Sequence, residues 1–186
     1  IVLKNEIEKL EKAGYDLSQK LVISKKAHLI LPTHRLIDAA QEAQKGDAKI
    51  GSTLKGIGPT YADKISRTGL RVGDLLHNFT EKYAKKIADH TRLLDQMGFS
   101  YSLDGLEDEW MEATKTLLRF QLIDSEHVVN ELIADNKRIL AEGAQGTMLD
   151  IEFGSYPFVT SSNTVSAGVC TGLGVPPTQI GEVYGI

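Results

Sequence analysis

The chain has 186 residues, of which 41% are hydrophobic, and its 25 acidic against 21 basic residues give a net charge of −4. That is enough apolar material for one sizeable core, and the missing basic excess excludes a general nucleic-acid or membrane-surface binder, which would have to neutralise phosphates along a polymer or lipid face. A single cysteine, Cys170, allows no internal disulfide and has no metal-ligating companion, so it reads as a buried structural thiol. No apolar run reaches the roughly 20 residues of a membrane span, and a reducing cytoplasmic setting fits. The chain opens at Ile1 without an initiator methionine and stops at Gly185-Ile186 inside a strand-like run, so it reads as the middle of something longer.

Leu3, Ile7 and Leu10 fall on one face of a helix predicted over residues 3 to 13, with Gly14 as its stop. Residues 21 to 31 are rich in Val, Ile and Leu and predict one or two short strands ending at Pro32. His28 lies among these apolar residues and is expected to be a satisfied core histidine rather than a ligand. A helix over roughly 33 to 45 follows. His34 opens it, and no catalytic role is assigned to it. A polar link from Lys45 to Lys49 leads into Gly51 to Asp74, GSTLKGIGPTYADKISRTGLRVGD. Gly56, Gly58 and Pro59 do not suit the interior of a regular helix or central strand, so a turn with exposed N–H groups is expected there, the chemistry of a loop that holds an anion. Beyond Pro59 the residues Tyr61, Lys64 and Arg67 recur at intervals of three and predict a helical face carrying cations. Taken alone, a surface loop followed by a solvated basic helix is the default for such a cluster.

From Asn78 to Met97 the apolar residues Phe79, Tyr83, Ile87, Leu94 and Met97 mark an amphipathic helix that Gly98 ends. Leu106, Trp110, Ala113, Leu117 and Phe120 step by four and three, and Trp110 and Phe120 read as core rather than as an aromatic binding stripe. Glu107, Asp108, Glu109 and Glu112 share the polar side and read as a solvated acidic face rather than a metal site. Asp124 or Ser125 can cap a third helix with Val128, Val129, Leu132 and Ile133 facing inward. The three helices form a helical insertion subdomain over about 77–137. Ile139-Leu140-Ala141 reads as a short buried strand that runs straight into a glycine turn carrying Gln145, a placement typical of ligand loops in α/β proteins. Gly154 to Asn163 brings hydroxyls and an amide in succession, suited to a phosphate or to capping a helix. Pro176-Pro177 breaks a small, glycine-rich stretch, and Ile180 to Ile186 reads as a strand.

Two long runs carry a resemblance. The first is Gly56-Ile57-Gly58-Pro59, then Tyr61, Lys64 and Arg67, then Gly69-Leu70-Arg71-Val72-Gly73-Asp74-Leu75. The second is Glu142-Gly143-Ala144-Gln145-Gly146-Thr147, then Leu149-Asp150-Ile151, Gly154, Tyr156-Pro157 and Val159-Thr160-Ser161-Ser162-Asn163-Thr164. In this order, with a helical region between them, they resemble the central signature of adenylosuccinate synthetase. The resemblance implies that the whole chain, 1–186, is the central segment of a single synthetase domain: an α/β fold, the middle of a P-loop-NTPase-like, mostly parallel sheet with a helical insertion. It also implies a ligase that joins IMP and L-aspartate with GTP, in two steps and with magnesium present. GTP first phosphorylates the 6-oxygen of IMP, and the aspartate amine then displaces that phosphate. No Gly-x-x-x-x-Gly-Lys-Ser/Thr loop occurs in this sequence, so GTP and magnesium are expected to be held by residues outside the chain, and the segment is expected to be inactive alone.

Carried over residue by residue, the resemblance assigns Thr53 and Thr160 to the 5′-phosphate of IMP, and Arg67 to the same phosphate across a homodimer. It assigns Gln145 to the 6-oxygen, where its amide would meet gathering negative charge. Lys64 and Arg71 either support the same cationic surface or pair structurally with Asp63 or Asp74. The sequence departs from the pattern at Ser52-Thr53-Leu54-Lys55, where bacterial members often carry Thr-Thr-Gly-Arg. Leu54 adopts positive φ less cheaply than glycine, which bears on the loop's path. A non-enzymatic, helical dimerisation scaffold that keeps the motif for packing is the alternative, and an unrelated α/β nucleotide-binding domain is a third reading.

Overall fold

A computed structural model describes residues 1–46 and 51–185, so the expected link from Lys45 to Lys49 falls largely outside the described residues. The chain divides into two compact units, Ile1–Ile123 and Asp124–Ile186. Together the described residues form an α/β chain with seven α-helices and one small parallel sheet. No helix among them is long and apolar enough to cross a membrane.

The first unit starts with helix α1 (Val2–Lys12), which enters the core through Ile7 alone. Leu3 and Leu10, expected beside Ile7, stay 40% and 43% exposed, because the helix touches the core over one turn. Strand β1 (Val22–Ser24) pairs in parallel with β2 (Gln121–Ile123), with Ile23 opposite Leu122. A parallel pair needs a crossover, and the intervening chain supplies it with helices. These are α2 (Pro32–Gln44), α3 (Ile57–Ser66), α4 (Phe79–Gln96) and α5 (Leu106–Leu117), with a 3₁₀ turn at Val72–Leu76. His28 and Arg71 form an antiparallel bridge, which ties the end of the strand region to the segment after α3.

The 3.6-residue periods of α4 and α5 translate directly into burial. Tyr83, Trp110, Leu117 and Phe120 join Ile7, Ile23 and Leu31 in one core, and Trp110 stacks on Tyr83 at 5.2 Å while its indole N–H donates to the Ile30 carbonyl at 2.7 Å. His28 departs from its expected satisfied state. Both ring nitrogens are buried without a hydrogen-bond partner among the described residues, and burial, then Arg71 and Lys64, lower its pKa.

Helix α3 begins at Ile57, so Gly58 and Pro59 lie in its first turn rather than in a loop ahead of it. The first N–H groups of a helix have no internal partner, so proline removes nothing there. At the other end Arg67 lies just past the helix, at φ 62°, off the face that Tyr61 and Lys64 share. The Lys64 ammonium instead sits over the Tyr61 ring at 5.0 Å.

The second unit holds α6 (Ser125–Ala134) and α7 (Ala167–Leu173), with 3₁₀ turns at Thr147–Leu149 and Pro177–Gln179. Of the helices expected over 77–137, α4 and α5 therefore belong to the first unit and α6 to the second. No residue of α6 is buried, contrary to the expected inward face, and Leu132 is exposed. The expected strands at 139–141 and 180–186 do not form among the described residues: Leu140 is 84% exposed. An extended segment becomes a strand only when a neighbour takes its N–H and C=O groups, and the described residues offer none. Cys170 is half-buried rather than fully enclosed.

Candidate functional site

Two stretches hold the residues singled out by sequence, one in each unit. In the first unit the loop of residues 51–56 is stapled down by two carboxylates of α2. Glu42 accepts from the Gly51 N–H at 2.7 Å and the Ser52 N–H at 3.4 Å. Asp38 accepts from the Ser52 hydroxyl at 2.6 Å and the Gly56 N–H at 2.9 Å. The Gly51 N–H, with help from Lys45, holds the Glu42 carboxyl below its ordinary pKa. The loop was expected to present free N–H groups, but most are used internally. Thr53 stays exposed at its outer edge, beside Leu54, which takes up the positive φ of 55° that its side chain disfavours. Gly56 has no such freedom to be replaced. It sits at φ 80°, and a Cβ there would lie 2.9 Å from the His34 backbone carbon.

Behind α3 lies a polar cluster that sequence reasoning did not assemble. Asp63 receives His34 Nε2 and His90 Nε2, each at 3.1 Å on one oxygen, and the Lys86 ammonium at 3.2 Å on the other. The Leu31 N–H donates to His34 Nδ1 at 2.9 Å, and His90 Nδ1 lies 2.7 Å from the Thr33 hydroxyl. His34 is fully buried. Burial opposes ionisation of Asp63, yet the hydrogen bonds from His34, His90 and Lys86 outweigh it and hold the carboxyl far below the usual carboxylate range. Burial lowers the His34 pKa against the pull of Asp63. Asp74 accepts from the Arg71 N–H and the Lys82 ammonium, so Arg71 meets it through the backbone rather than by a guanidinium pair. Arg67 is exposed, and no ion pair to a described residue engages it.

In the second unit a single buried carboxylate organises the loop. Asp150 accepts from the Glu152, Phe153, Thr164 and Val165 N–H groups, at 2.9, 3.1, 2.6 and 3.3 Å. Its burial works against ionisation, but the four donors prevail and lower its pKa. Gly154 fits under this knot because it has no side chain: a Cβ would lie 2.4 Å from the Met148 carbonyl oxygen. The loop brings Gln145 to Thr160, the amide donating to the hydroxyl at 3.4 Å. Gln145 is exposed and stands at φ 68°.

Thus Gln145 and Thr160 are brought together, while Thr53 and Arg67 stand at opposite ends of α3 in the first unit. The ten residues of that helix span about 15 Å. Sequence reasoning named Asp63 only as a candidate partner for Lys64 or Arg71, and it missed Asp38, Glu42, Lys86, His90 and the structural weight of Asp150. A signal existed for His90, which fills the gap in the α4 stripe between Ile87 and Leu94.

Comparison with known proteins agrees with these motifs. The family model described as adenylosuccinate synthetase matches residues 1–186. The chain is 62% identical over 186 residues to the adenylosuccinate synthetase of Parabacteroides distasonis and 63% identical over 185 residues to that of Bacteroides fragilis; in both cases the match covers all of this chain and 44% of the relative. The solved structure of fully ligated adenylosuccinate synthetase from Plasmodium falciparum superposes with a TM-score of 0.83 at 35% identity, covering 96% of this chain and 42% of that one. The chain thus spans less than half the length of the curated relatives it matches, over a region that includes both motifs, and it belongs to the adenylosuccinate synthetase family.

Proposed function

We propose that this chain is the IMP-binding, dimer-forming central part of a GTP-dependent ligase that joins IMP and L-aspartate into adenylosuccinate, on the route to AMP, in the cytoplasm. The observation that carries the reading is the 3.4 Å approach of Gln145 to Thr160, residues fifteen apart in sequence. An amide donor and a hydroxyl meet there on an exposed, carboxylate-braced loop. Their hydrogen bond is at the long end of the range, so a ligand oxygen can replace it readily. Thr160 then serves the 5′-phosphate, and the Gln145 amide turns to the 6-oxygen as charge gathers on it. A carbonyl oxygen leaves poorly and a phosphate leaves well, so phosphorylating that oxygen makes displacement by the aspartate amine possible. The protein's work is positioning and charge stabilisation.

The remaining assignments follow the same logic. Thr53 offers its hydroxyl to the 5′-phosphate, and Arg67 offers a planar two-pronged donor. The length of α3 between them favours service to different copies' sites, with Arg67 reaching the partner in a homodimer. Magnesium does not fit the residues present. The one metal-type set among the described residues, His34, Asp63 and His90, offers a single carboxylate and has an ammonium against it, whereas magnesium demands oxygen ligands. On this reading GTP and magnesium are held by residues outside this chain, within a P-loop-NTPase-like, mostly parallel sheet. The unpaired segments at 139–141 and 180–185 would enter that sheet as strands.

Calorimetric titration of the chain with IMP beside inosine, which lacks the phosphate, tests the phosphate half-site. Binding of IMP with none of inosine is expected; equal binding of the two would remove the phosphate assignment, and binding of neither would show that this segment alone is not a functional nucleotide site. In the full-length protein Arg67→Leu is expected to weaken IMP binding. Unchanged affinity would favour a dimerisation scaffold that keeps the motif for packing.

A further inference from the structure

Asp63 faces two ways. Toward the interior it joins α2, α3 and α4 through His34, His90 and Lys86. Toward the surface its backbone carbonyl accepts the Thr68 N–H at 3.0 Å and the Gly69 N–H at 3.2 Å, while its carboxylate accepts the Thr68 hydroxyl at 3.0 Å. These outer bonds close the turn in which Arg67 adopts φ 62° and ψ 31°. A non-glycine residue is strained in that left-handed region and keeps it only where its surroundings over-determine the backbone. Helices that end in such a turn usually place glycine at this position.

Two imidazoles and a carboxylate with ligand atoms within 4.8 Å of one another also form a metal-type set. The hydrogen bonds argue against an ion. The Leu31 N–H already occupies the lone pair of His34 Nδ1, so the ring proton sits on Nε2 and is donated to Asp63; a protonated nitrogen cannot ligate. The Lys86 ammonium already supplies a positive charge against the same carboxylate. The set is complete as a hydrogen-bonded anchor.

We infer that Asp63, anchored by His34, His90 and Lys86, is a positioning residue that fixes the strained turn of Arg67 so that its guanidinium meets the nucleotide phosphate. This rests on the proposed function. The anchor lies in the interior and its cargo on the surface: Arg67 is exposed, with no ion pair to a described residue that would aim it. The backbone turn is thus what sets its direction, and Asp63 sets the turn. Losing the anchor lets residue 67 relax out of the left-handed region and scatters the guanidinium. An interaction made with the phosphate throughout the reaction contributes to binding rather than to turnover, so its loss appears in KM.

The test is steady-state kinetics on the full-length protein carrying Asp63→Asn, Lys86→Met, Lys86→Arg or Arg67→Leu, with Tyr83→Phe as a variant of α4 outside the cluster. Asp63→Asn is expected to raise the KM for IMP about tenfold, close to the effect of Arg67→Leu, with kcat and the KM for aspartate held within about twofold. Lys86→Met should follow in the same direction and Lys86→Arg should restore the parent value, while Tyr83→Phe should leave it alone. If Asp63→Asn is insoluble, Lys86→Met against Lys86→Arg decides alone. A KM for IMP that stays at the parent value in Asp63→Asn and Lys86→Met, with only the folded fraction or kcat reduced, overturns the positioning role. It leaves the functional reading standing provided Arg67→Leu still raises that KM. An unchanged KM in Arg67→Leu overturns the phosphate assignment itself, and this inference with it.

Discussion

The two units are stabilised by different means. Residues 1–123 enclose an apolar core in which Trp110, Tyr83, Leu31 and Ile7 come from elements far apart in sequence, and a polar anchor around Asp63 lies beside it. Residues 124–185 bury little. Leu140, Phe153, Tyr156 and Phe158 all stay exposed, and the loop there is knotted by the backbone bonds to Asp150. A hydrophobic core resists change through many small contacts, whereas a carboxylate knot depends on one charged group. The difference teaches that the first unit is held by a shared apolar core, while the second rests on one charged group and leaves much of its apolar surface uncovered.

The largest expected effect probes the first unit. Trp110→Ala removes the ring stacked on Tyr83 and orphans the Ile30 carbonyl, so it should destabilise that unit by about 3–5 kcal/mol, read by urea denaturation. Hydrogen exchange on the same variant sharpens the comparison. Amides of residues 1–123 should lose protection while the four amides that Asp150 accepts keep theirs. A uniform loss would mean that the units do not differ in the way their interiors suggest.

Acid should separate the units in the opposite manner. The folded pKa of His34 lies below its unfolded value, so the unfolded state binds more protons and the stability from neutral His34 is present above about pH 6.5 and lost as pH falls below it. Protonation there would set an N–H against the Leu31 N–H. Asp150 also has a lowered folded pKa, so its contribution is present above about pH 3.9 and lost only as pH falls below that value. Fluorescence of Trp110, the chain's single tryptophan, should therefore change before exchange of the Thr164 and Val165 amides on acidification. In Asp150→Asn, which keeps one acceptor oxygen, those amides should exchange faster at every pH.

What could be read from sequence follows the same division. Local periodicity suffices where an element buries a continuous apolar stripe, and so Trp110, Leu117 and Phe120 were legible as core. It fails where burial is polar: Asp38 and Glu42 look like solvated residues of α2 until the loop at Gly51 folds back onto them. His90 is the intermediate case, a polar residue on an apolar stripe whose partner, Asp63, is 27 residues away. The segments at 139–141 and 180–185 carry strand-like patterns, but pairing is a property of two strands and no described residue pairs with them. Gln145 and Thr160 are singled out only through the motif, since neither composition nor period distinguishes them from ordinary turn residues.

Two glycine exchanges around α3 give smaller effects of opposite sign. Gly56→Ala places a Cβ at 2.9 Å from the His34 backbone at φ 80°, so it should destabilise the first unit by about 1–2 kcal/mol and disturb the loop of Thr53. Thermal unfolding followed by circular dichroism checks it.

Arg67→Gly should do the reverse. Glycine occupies φ 62° without the clash that an arginine Cβ makes with its own carbonyl, and part of that relief is offset by the greater freedom of glycine in the unfolded chain. A net gain of about 0.5–1 kcal/mol is expected, because nothing among the described residues holds the guanidinium and so nothing is lost with it. If Arg67 serves the phosphate as proposed, the same exchange should also weaken IMP binding. A variant that unfolds at higher temperature while binding IMP less well would mean that the strain at residue 67 is retained for function rather than for folding. A variant that is less stable would mean that the arginine side chain makes packing contacts of its own, so that the first unit draws stability from its surface turn as well as from its core.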